Sequence, residues 1–454
     1  MTMINFNEAP VCGTELDHIR NAIADRHICG DGTFTKQCNK FLEGYTKCKK
    51  ALLTNSCTAA LEMSALLLDI QPGDEVICPS YTFITTASSF ALRGAKLVFV
   101  DIRDDTLNLD ERLLEKAITP STKVIVPVHY AGVCAEMDTI NDIAAVYNIH
   151  VVEDAAQAIG STYKGKVAGT MSDLGCYSFH ETKNISSGEG GALIVNNPDL
   201  VESAEIVREK GTDRSRFLRG QIDKYTWLAL GSSYLPSDMV AAYLLPQLEK
   251  MAEINSYRKH LWQRYYDAFK CLSEYGVCLP YCPENCEQNA HMFYLRCPDL
   301  ETRTRFISRM KEKEILCVFH YIPLHSSPAG KKYGRACGEL NVTRVRTRYF
   351  QRNKNRVCRG HGGVACVPCF IFPKASWSVS NRSFPVLTVL RVSMTDASSA
   401  ASYTSSSTGF SGRMHLMSTA RTKRCTIDSS GGADSVFSIK FSLSWPTKRL
   451  LMAH

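Results

Sequence analysis

Between about residues 50 and 200, short apolar runs alternate with helix-like segments, and that alternation restricts the fold more than any other feature of the chain. The runs "DEVICPS" (74–80), "AKLVFVDI" (95–102), "KVIVPVHYAG" (123–132) and "IHVVEDAAQ" (149–157) are rich in Val and Ile. They are too continuous for strands with one face in water, so they read as strands buried on both faces. Between them "TAALEMSALLLDI" (58–70), "ASSFALRGA" (87–95) and "AEMDTINDIAAVYN" (135–148) read as helices, and "QPGDE" (71–75) supplies a turn. Strand, helix, strand at this spacing predicts an α/β fold, with a mostly parallel central sheet and helices on both faces. Ligands of such sheets sit at the carboxyl ends of the strands.

Further along, 237–272 reads as one long amphipathic helix that Pro246 kinks. It would join a large domain, residues 1–245, to a smaller α/β domain, residues 246–342. Within the latter, "HMFYLRC", "TRTRFISRMKEKE" and "ILCVFHYIP" read as strand, helix, strand. After about Val342 the periodicity fades and Ser, Arg and Thr dominate, so most of 343–454 is expected to be a disordered tail.

The charge of +8 belongs to that tail. Residues 343–454 hold 17 of the 53 basic groups and 3 of the 45 acidic ones, which leaves 36 basic and 42 acidic groups in the body, a net of −6. A mildly acidic body gives no reason to expect nucleic-acid binding. No apolar run reaches the roughly 20 residues of a membrane helix, and the first thirty residues lack the pattern of a signal peptide. The 19 cysteines are scattered along a long chain and are expected to be reduced thiols of a cytoplasmic protein.

Three stretches carry chemistry. In "EDAAQ" (153–157) Asp154 ends a buried strand, where it either meets a ligand or caps the next helix. In "GCYSFHETKNISSGEGGALIV" (175–195) an apolar strand delivers Ser178, His180 and Lys183 to one loop, followed by a Gly-rich turn and a second apolar run. A lysine at a strand end is ordinarily a solvated surface group. In "TNSCTAAL" (54–61) Ser56, Cys57 and Thr58 stand just before a helix, where N–H groups and hydroxyls suit a phosphate and also serve as an ordinary N-cap.

"SFHETKN", "EDAAQ", "GEGG" and "SSYLPSD", in this order, make the chain resemble the sugar aminotransferases of the DegT/DnrJ/EryC1 family over about residues 4–341. The resemblance implies the type I fold of pyridoxal-phosphate enzymes (aspartate aminotransferase-like) and pyridoxal 5'-phosphate as cofactor. It puts the Schiff-base lysine at Lys183, the partner of the pyridine nitrogen at Asp154 and a contact to the ring hydroxyl at Gln157. Ser56, Cys57, Thr58 and Ser178 would hold the phosphate, although the family often has Gly where Cys57 stands. Phe83 of "YTFITTAS" would stack on the pyridine face, the alternative being a core aromatic. Ser233 falls where the family reaches the phosphate of a neighbouring subunit, which implies a homodimer. Tyr321, His325 and Asn184 match positions near the bound sugar nucleotide. The implied reaction moves the amine of L-glutamate to carbon 4 of a dTDP-linked 4-keto-6-deoxy sugar, a precursor of cell-surface polysaccharide. Family relatives with His at the lysine position are dehydratases, so Lys183 favours transamination.

The family pattern stops at about "PAGKKYGRACGELNV", as a shift of reading frame near Val342 would produce. The codons permitted for "VPCFIFP" (367–373) are compatible with the family's usual ending in another frame. "CVPC" (366–369) with Cys358, His361 and Cys425 lacks the spacing of a zinc ribbon, so no metal is expected. A truncated small domain would lose apolar cover, and the alternative function is then a catalytically impaired remnant that still binds the cofactor.

Overall fold

The computed structural model describes residues 3–343 of the 454 and, beyond them, the strand Val367–Ile371. The strands in chain order are β1 Lys50–Thr54, β2 Glu75–Pro79, β3 Lys96–Val100, β4 Thr122–Ile125, β5 His150–Asp154, β6 Thr162–Tyr163 and β7 Lys166–Val167. They continue with β8 Leu174–Ser178, β9 Gly191–Val195, β10 Cys286–Glu287, β11 Phe293–Cys297, β12 Gly334–Ala336 and β13 Val367–Ile371.

Eight strands form the main sheet in the order β1-β9-β8-β5-β4-β2-β3-β12, and only β9 runs against its neighbours. The continuous apolar runs have the cause anticipated from the sequence. Leu53, Ile77, Val98, Ile125, Val151 and Ile194 face one apolar cluster, packed against Phe34, Leu42, Met137 and Ile140 of helices Thr33–Thr46 and Met137–Tyr147. Leu52, Val76, Leu97, Val124, Val152 and Leu193, one residue away on each strand, face a second cluster, against Leu61, Met63 and Phe90 of helices Cys57–Leu67 and Thr85–Ala91. A strand alternates its side chains between two faces, and here both faces are dry. Each fully buried Val or Leu contributes about 1.5–3 kcal/mol.

The stretch 237–272 forms two helices rather than one, Asp238–Glu249 and Met251–Phe269, with Lys250 as the junction at φ −93°, ψ 10°. Pro246 lies inside the first; it cannot donate to the residue four before it, and its ring crowds the preceding turn. The "SSYLPSD" motif starts the first of these helices, and its Asp238 accepts from the Phe34 and Thr35 amides at 3.2 and 2.8 Å, capping helix Thr33–Thr46.

Residues 262–317 gather a separate apolar cluster around Tyr265, Phe293, Leu295, Met310 and Ile315, with β11 above helix Leu300–Glu312. "ILCVFHYIP" is not a strand: Ile315 makes a single bridge to Ile4, and Tyr321 takes φ +41°, which takes the backbone out of the extended region. β12, drawn from 246–342, joins the edge of the main sheet beside β3. β13 falls in the stretch expected to lack structure and pairs antiparallel with β11 from Phe293↔Ile371 to Cys297↔Val367. An open strand edge is a row of unpaired donors and acceptors that recruits another extended segment. The rest of the tail, the frame-shift reading and the side chains of "CVPC" lie outside the described residues. Among the described residues, no helix is long and apolar enough to cross a membrane, and no group of His, Cys, Asp and Glu is arranged to hold a metal ion.

Candidate functional site

β5 ends in two carboxylates that point to opposite sides of the sheet. Glu153 is fully buried and accepts from the Gly169 and Met171 amides at 2.7 and 2.6 Å and from Ser172 Oγ at 2.9 Å, with His129 Nε2 at 2.9 Å. Every lone pair it offers is engaged, and it acts as an internal brace. Asp154 meets Thr86 Oγ1, which donates at 2.7 Å, and the Ala156 amide at 3.2 Å. Burial raises the Asp154 pKa above the usual carboxylate range, against the opposing pull of those two donors, of Lys183 and of His129. A buried carboxylate left in this condition is suited to a cationic or N–H partner.

Lys183 lies on the loop between the antiparallel strands β8 and β9. The loop is pinned as a hairpin: the Phe179 amide donates to Gly190 O, Ser187 to Phe179 O, Glu181 to Gly188 O and Lys183 to His180 O, at 2.7–2.9 Å. Gly188 supplies the left-handed turn at φ +80°. Lys183 is half-buried as a residue with its ammonium enclosed, and that ammonium has no hydrogen-bond or ion-pair partner among the described residues. Desolvation lowers its pKa, while Cys57 and Asp154 nearby push it back up. Lys183 and Asp154, 29 positions apart in sequence, are therefore within electrostatic reach of each other.

The folded-state pKa of Lys183 lies below the 10.5 of a free lysine. Between the two values the folded protein binds fewer protons than the unfolded one, so stability rises with pH across that window. Below the window the cost of the desolvated ammonium is fully present. The cofactor-free Lys183→Met protein is therefore expected to be more stable than the unmodified one at neutral pH, with the advantage shrinking as pH climbs to 10.5. Denaturant melts of both proteins over a pH series measure this, and a difference that does not vary with pH contradicts the assigned cause.

Ser56 is the N-cap of helix Cys57–Leu67, and its Oγ accepts from the Ala59 amide at 3.0 Å. The Cys57 and Thr58 amides, on the first turn, have no acceptor among the described residues. β9 begins against this turn: a Cβ on Gly191 would stand 2.4 Å from the Cys57 nitrogen. Ser178 ends β8, the strand that pairs with β9, and its Oγ accepts from the His180 amide at 3.4 Å. Two free N–H groups at a helix N-terminus constitute an anion site. Burial raises the Cys57 thiol pKa well above its ordinary value, so a neutral thiol stands there.

Phe83 is not a core aromatic; it is 54% exposed, with its ring 6.2 Å from that of Tyr321. Gln157 accepts from the Ala131 amide at 2.7 Å and donates to the Tyr321 hydroxyl at 3.1 Å. Tyr321 thus joins Phe83 to Gln157, beneath a cluster of Tyr81, Tyr130 and His320. Beside Phe83 and Tyr321 opens a groove of about 1410 Å³ that also touches His325, Ser326 and Lys331. His325 Nδ1 lies 2.6 Å from Ser80 Oγ, so this ring is oriented and not merely packed.

Asn184 is held inside the protein and Ser233 lies at the surface. Asn184 is buried with every polar atom of its side chain engaged: Nδ2 donates to Asn255 Oδ1 at 2.8 Å and Asn289 O at 2.9 Å, and Oδ1 accepts from His291 Nδ1 at 3.1 Å. Both Nδ2 donors are thus spent on protein acceptors, and Oδ1 is turned to His291. Ser233 is exposed, with its carbonyl accepting from Asn55 Nδ2 at 3.4 Å, next to Ser56 of its own chain. Trp227, Leu228 and Leu230 lie exposed a few residues before it. Sequence reasoning missed Thr86, the donor to Asp154, although "YTFITTAS" places it on the same short helix that follows Phe83. It also missed His291 and His320, which desolvation first and the charge of Lys183 second hold in the neutral form, His320 down to about 3. Nothing local in "NAHMF" or "VFHYI" marks either ring.

The DegT/DnrJ/EryC1/StrS aminotransferase family model matches residues 13–348. The uncharacterized protein MJ1066 of Methanocaldococcus jannaschii is 36% identical over 307 residues, 66% of this chain and 79% of that one. The GDP-perosamine synthase of Caulobacter vibrioides is 38% identical over 241 residues, 53% of this chain and 63% of the synthase. Among solved structures, Spr1654 from Streptococcus pneumoniae in its PLP-form superposes with a TM-score of 0.69 at 26% identity, covering 81% of this chain and 93% of that one.

Proposed function

The chain belongs to the DegT/DnrJ/EryC1/StrS aminotransferase family, and from that premise we propose that it moves the amino group of L-glutamate to carbon 4 of dTDP-4-dehydro-6-deoxy-D-glucose. The products are 2-oxoglutarate and dTDP-4-amino-4,6-dideoxy-D-galactose. The sugar aminotransferases of this family use pyridoxal 5'-phosphate, an amino donor and a keto sugar. The observation that carries the reading is the unpartnered Lys183 amine within electrostatic reach of the buried Asp154.

The residues fit the cofactor. The free Cys57 and Thr58 amides with Ser56 and Ser178 suit a phosphate dianion, and the close approach of Gly191 leaves that turn open to it. Asp154 stands ready for a ring nitrogen, Gln157 for a ring hydroxyl and Phe83 for a flat aromatic face. When bound, pyridoxal phosphate supplies an aldehyde for amine capture and a ring that withdraws electrons from the adjacent carbon.

The protein's own groups do the rest. Thr86 orients Asp154, and burial strengthens that carboxylate's attraction for a proton held on its partner. Desolvation keeps a larger share of Lys183 as the neutral amine near neutral pH than a surface lysine has, which is the form that captures a carbonyl and removes a proton. His291, buried, and His320, half-buried, are neutral and add no competing positive charge. The groove beside Phe83 and Tyr321, with Ser326 and Lys331 on its wall, offers room for an anionic sugar nucleotide. A second copy of the chain would cover Trp227, Leu228 and Leu230 and bring its exposed Ser233 to this site, as expected of a homodimer.

The test is a pair of half-reactions. Protein loaded with pyridoxal phosphate is mixed with L-glutamate, with the visible absorbance and 2-oxoglutarate followed; the keto sugar nucleotide is then added, and the amino sugar identified by mass and its carbon-4 configuration by NMR. Loss of absorbance with stoichiometric 2-oxoglutarate, then recovery on adding the sugar, is the expected course. A protein that binds cofactor but gives neither half-reaction is the impaired remnant. GDP-linked sugar accepted in preference to dTDP-linked sugar would overturn the substrate assignment alone.

A further inference from the structure

We infer that Asn184, Asn255, Asn289 and His291 form a positioning clamp that fixes where the Lys183 amine sits relative to Asp154. The inference rests on the reading of Lys183 as the cofactor-binding lysine. All four side chains are buried, at 1%, 5%, 0% and 4% exposure, a costly arrangement for polar groups unless each finds partners.

The partners tie together chain segments that are remote in sequence. Asn184, the residue after Lys183, donates to Asn255 Oδ1 on helix Met251–Phe269 and to Asn289 O in the segment entering β11. His291 Nδ1 donates to Asn184 Oδ1, since that oxygen can only accept. Asn289 Nδ2 donates to Gln157 O and Ile159 O, both at 2.9 Å, and Asn255 Nδ2 donates to Ile159 O at 3.2 Å. Asn289 Oδ1 accepts from the His291 amide at 3.0 Å. Gln157 and Ile159 lie on the segment that begins at Asp154. The loop carrying the amine, through Asn184, and the segment carrying the carboxylate are thus fastened to the same two asparagines, Asn255 and Asn289.

Two glycines make the clamp possible. A Cβ on Gly132 would lie 2.0 Å from Asn289 Oδ1, and one on Gly160 would lie 2.2 Å from Asn255 Nδ2; both glycines hold positive φ, +85° and +89°. The backbone is therefore shaped around the two amides, which a general packing role would not require. The titratable groups that face Lys183 are Asp154, Cys57, His291 and His320. Asn184 thereby acts on the amine through the loop and not on a substrate.

Asn184→Ala removes three bonds at once, and Asn255→Ala removes the helix side of the clamp without altering the loop that bears Lys183. The readout is the pH dependence of pyridoxal-phosphate capture by the cofactor-free protein, followed by visible absorbance, together with kcat and KM. A loosened loop admits water to the ammonium, so the capture midpoint is expected to move up by about one pH unit and kcat to fall about 10- to 100-fold, with KM for the keto sugar nearly unchanged. An unchanged capture curve with a raised KM assigns Asn184 to the substrate and overturns the proposal. So does a failure of both variants to fold when Lys183→Ala folds, because the four residues would then serve stability alone. If the unmodified protein captures no cofactor, it is the functional reading that fails.

Discussion

Lys183→Ala is expected to abolish transamination, lowering kcat/KM by at least ~10³-fold, because the residue serves both as the amine that captures the cofactor and as the base that moves the proton. Two roles on one atom leave no partial substitute. The amine has no partner to lose among the described residues, so the substitution removes no structural contact through its nitrogen. The folded protein should persist, and phosphate should still bind at the first turn of helix Cys57–Leu67. The measurements are 2-oxoglutarate formation from L-glutamate, which should vanish, and the visible absorbance of the bound cofactor, which should lose its lysine-dependent band. A folded Lys183→Ala protein that retains a tenth of the activity would remove this lysine from the chemistry.

Asp154→Asn is expected to reduce turnover by ~10²–10³-fold, the effect of losing about 3–4 kcal/mol when one member of a buried charge pair is neutralised. The substitution is isosteric, and an amide oxygen can still accept from Thr86, as Asp154 Oδ2 does at 2.7 Å. The charge is removed, and with it only the longer bond from the Ala156 amide to Oδ1 at 3.2 Å, which an amide NH2 cannot accept. A neutral group cannot hold a proton on a ring nitrogen, so the half-reaction with glutamate should slow while the cofactor remains bound through its phosphate. Rapid mixing with L-glutamate separates the two effects. Unaltered half-reaction rates would mean that the carboxylate is structural, like Glu153 beside it.

The contrast between these two neighbouring acids shows what folding adds. In "VVEDAA" they are one residue apart and chemically equivalent. Strand alternation sends Glu153 to four protein donors on one side of the sheet and Asp154 to Thr86 and the site on the other. The parity of that alternation depends on which helices cover each face, and no single segment contains that information.

Continuous Val- and Ile-rich runs joined by helical segments were enough to determine a mostly parallel sheet dry on both faces, because burial leaves its mark on every residue of a strand. The ordered motifs around Asp154, Lys183 and Ser56 determined the family and its cofactor, since turns, caps and reactive groups are local. The tertiary structure alone decided how 237–272 divides at Lys250, that "ILCVFHYIP" is not a strand, and that β13 completes the edge of β11. It alone decided that Asn184 binds Asn255, Asn289 and His291. Those partners stand 71 to 107 positions away, and a hydrogen bond across that distance imposes no periodicity that the sequence could display.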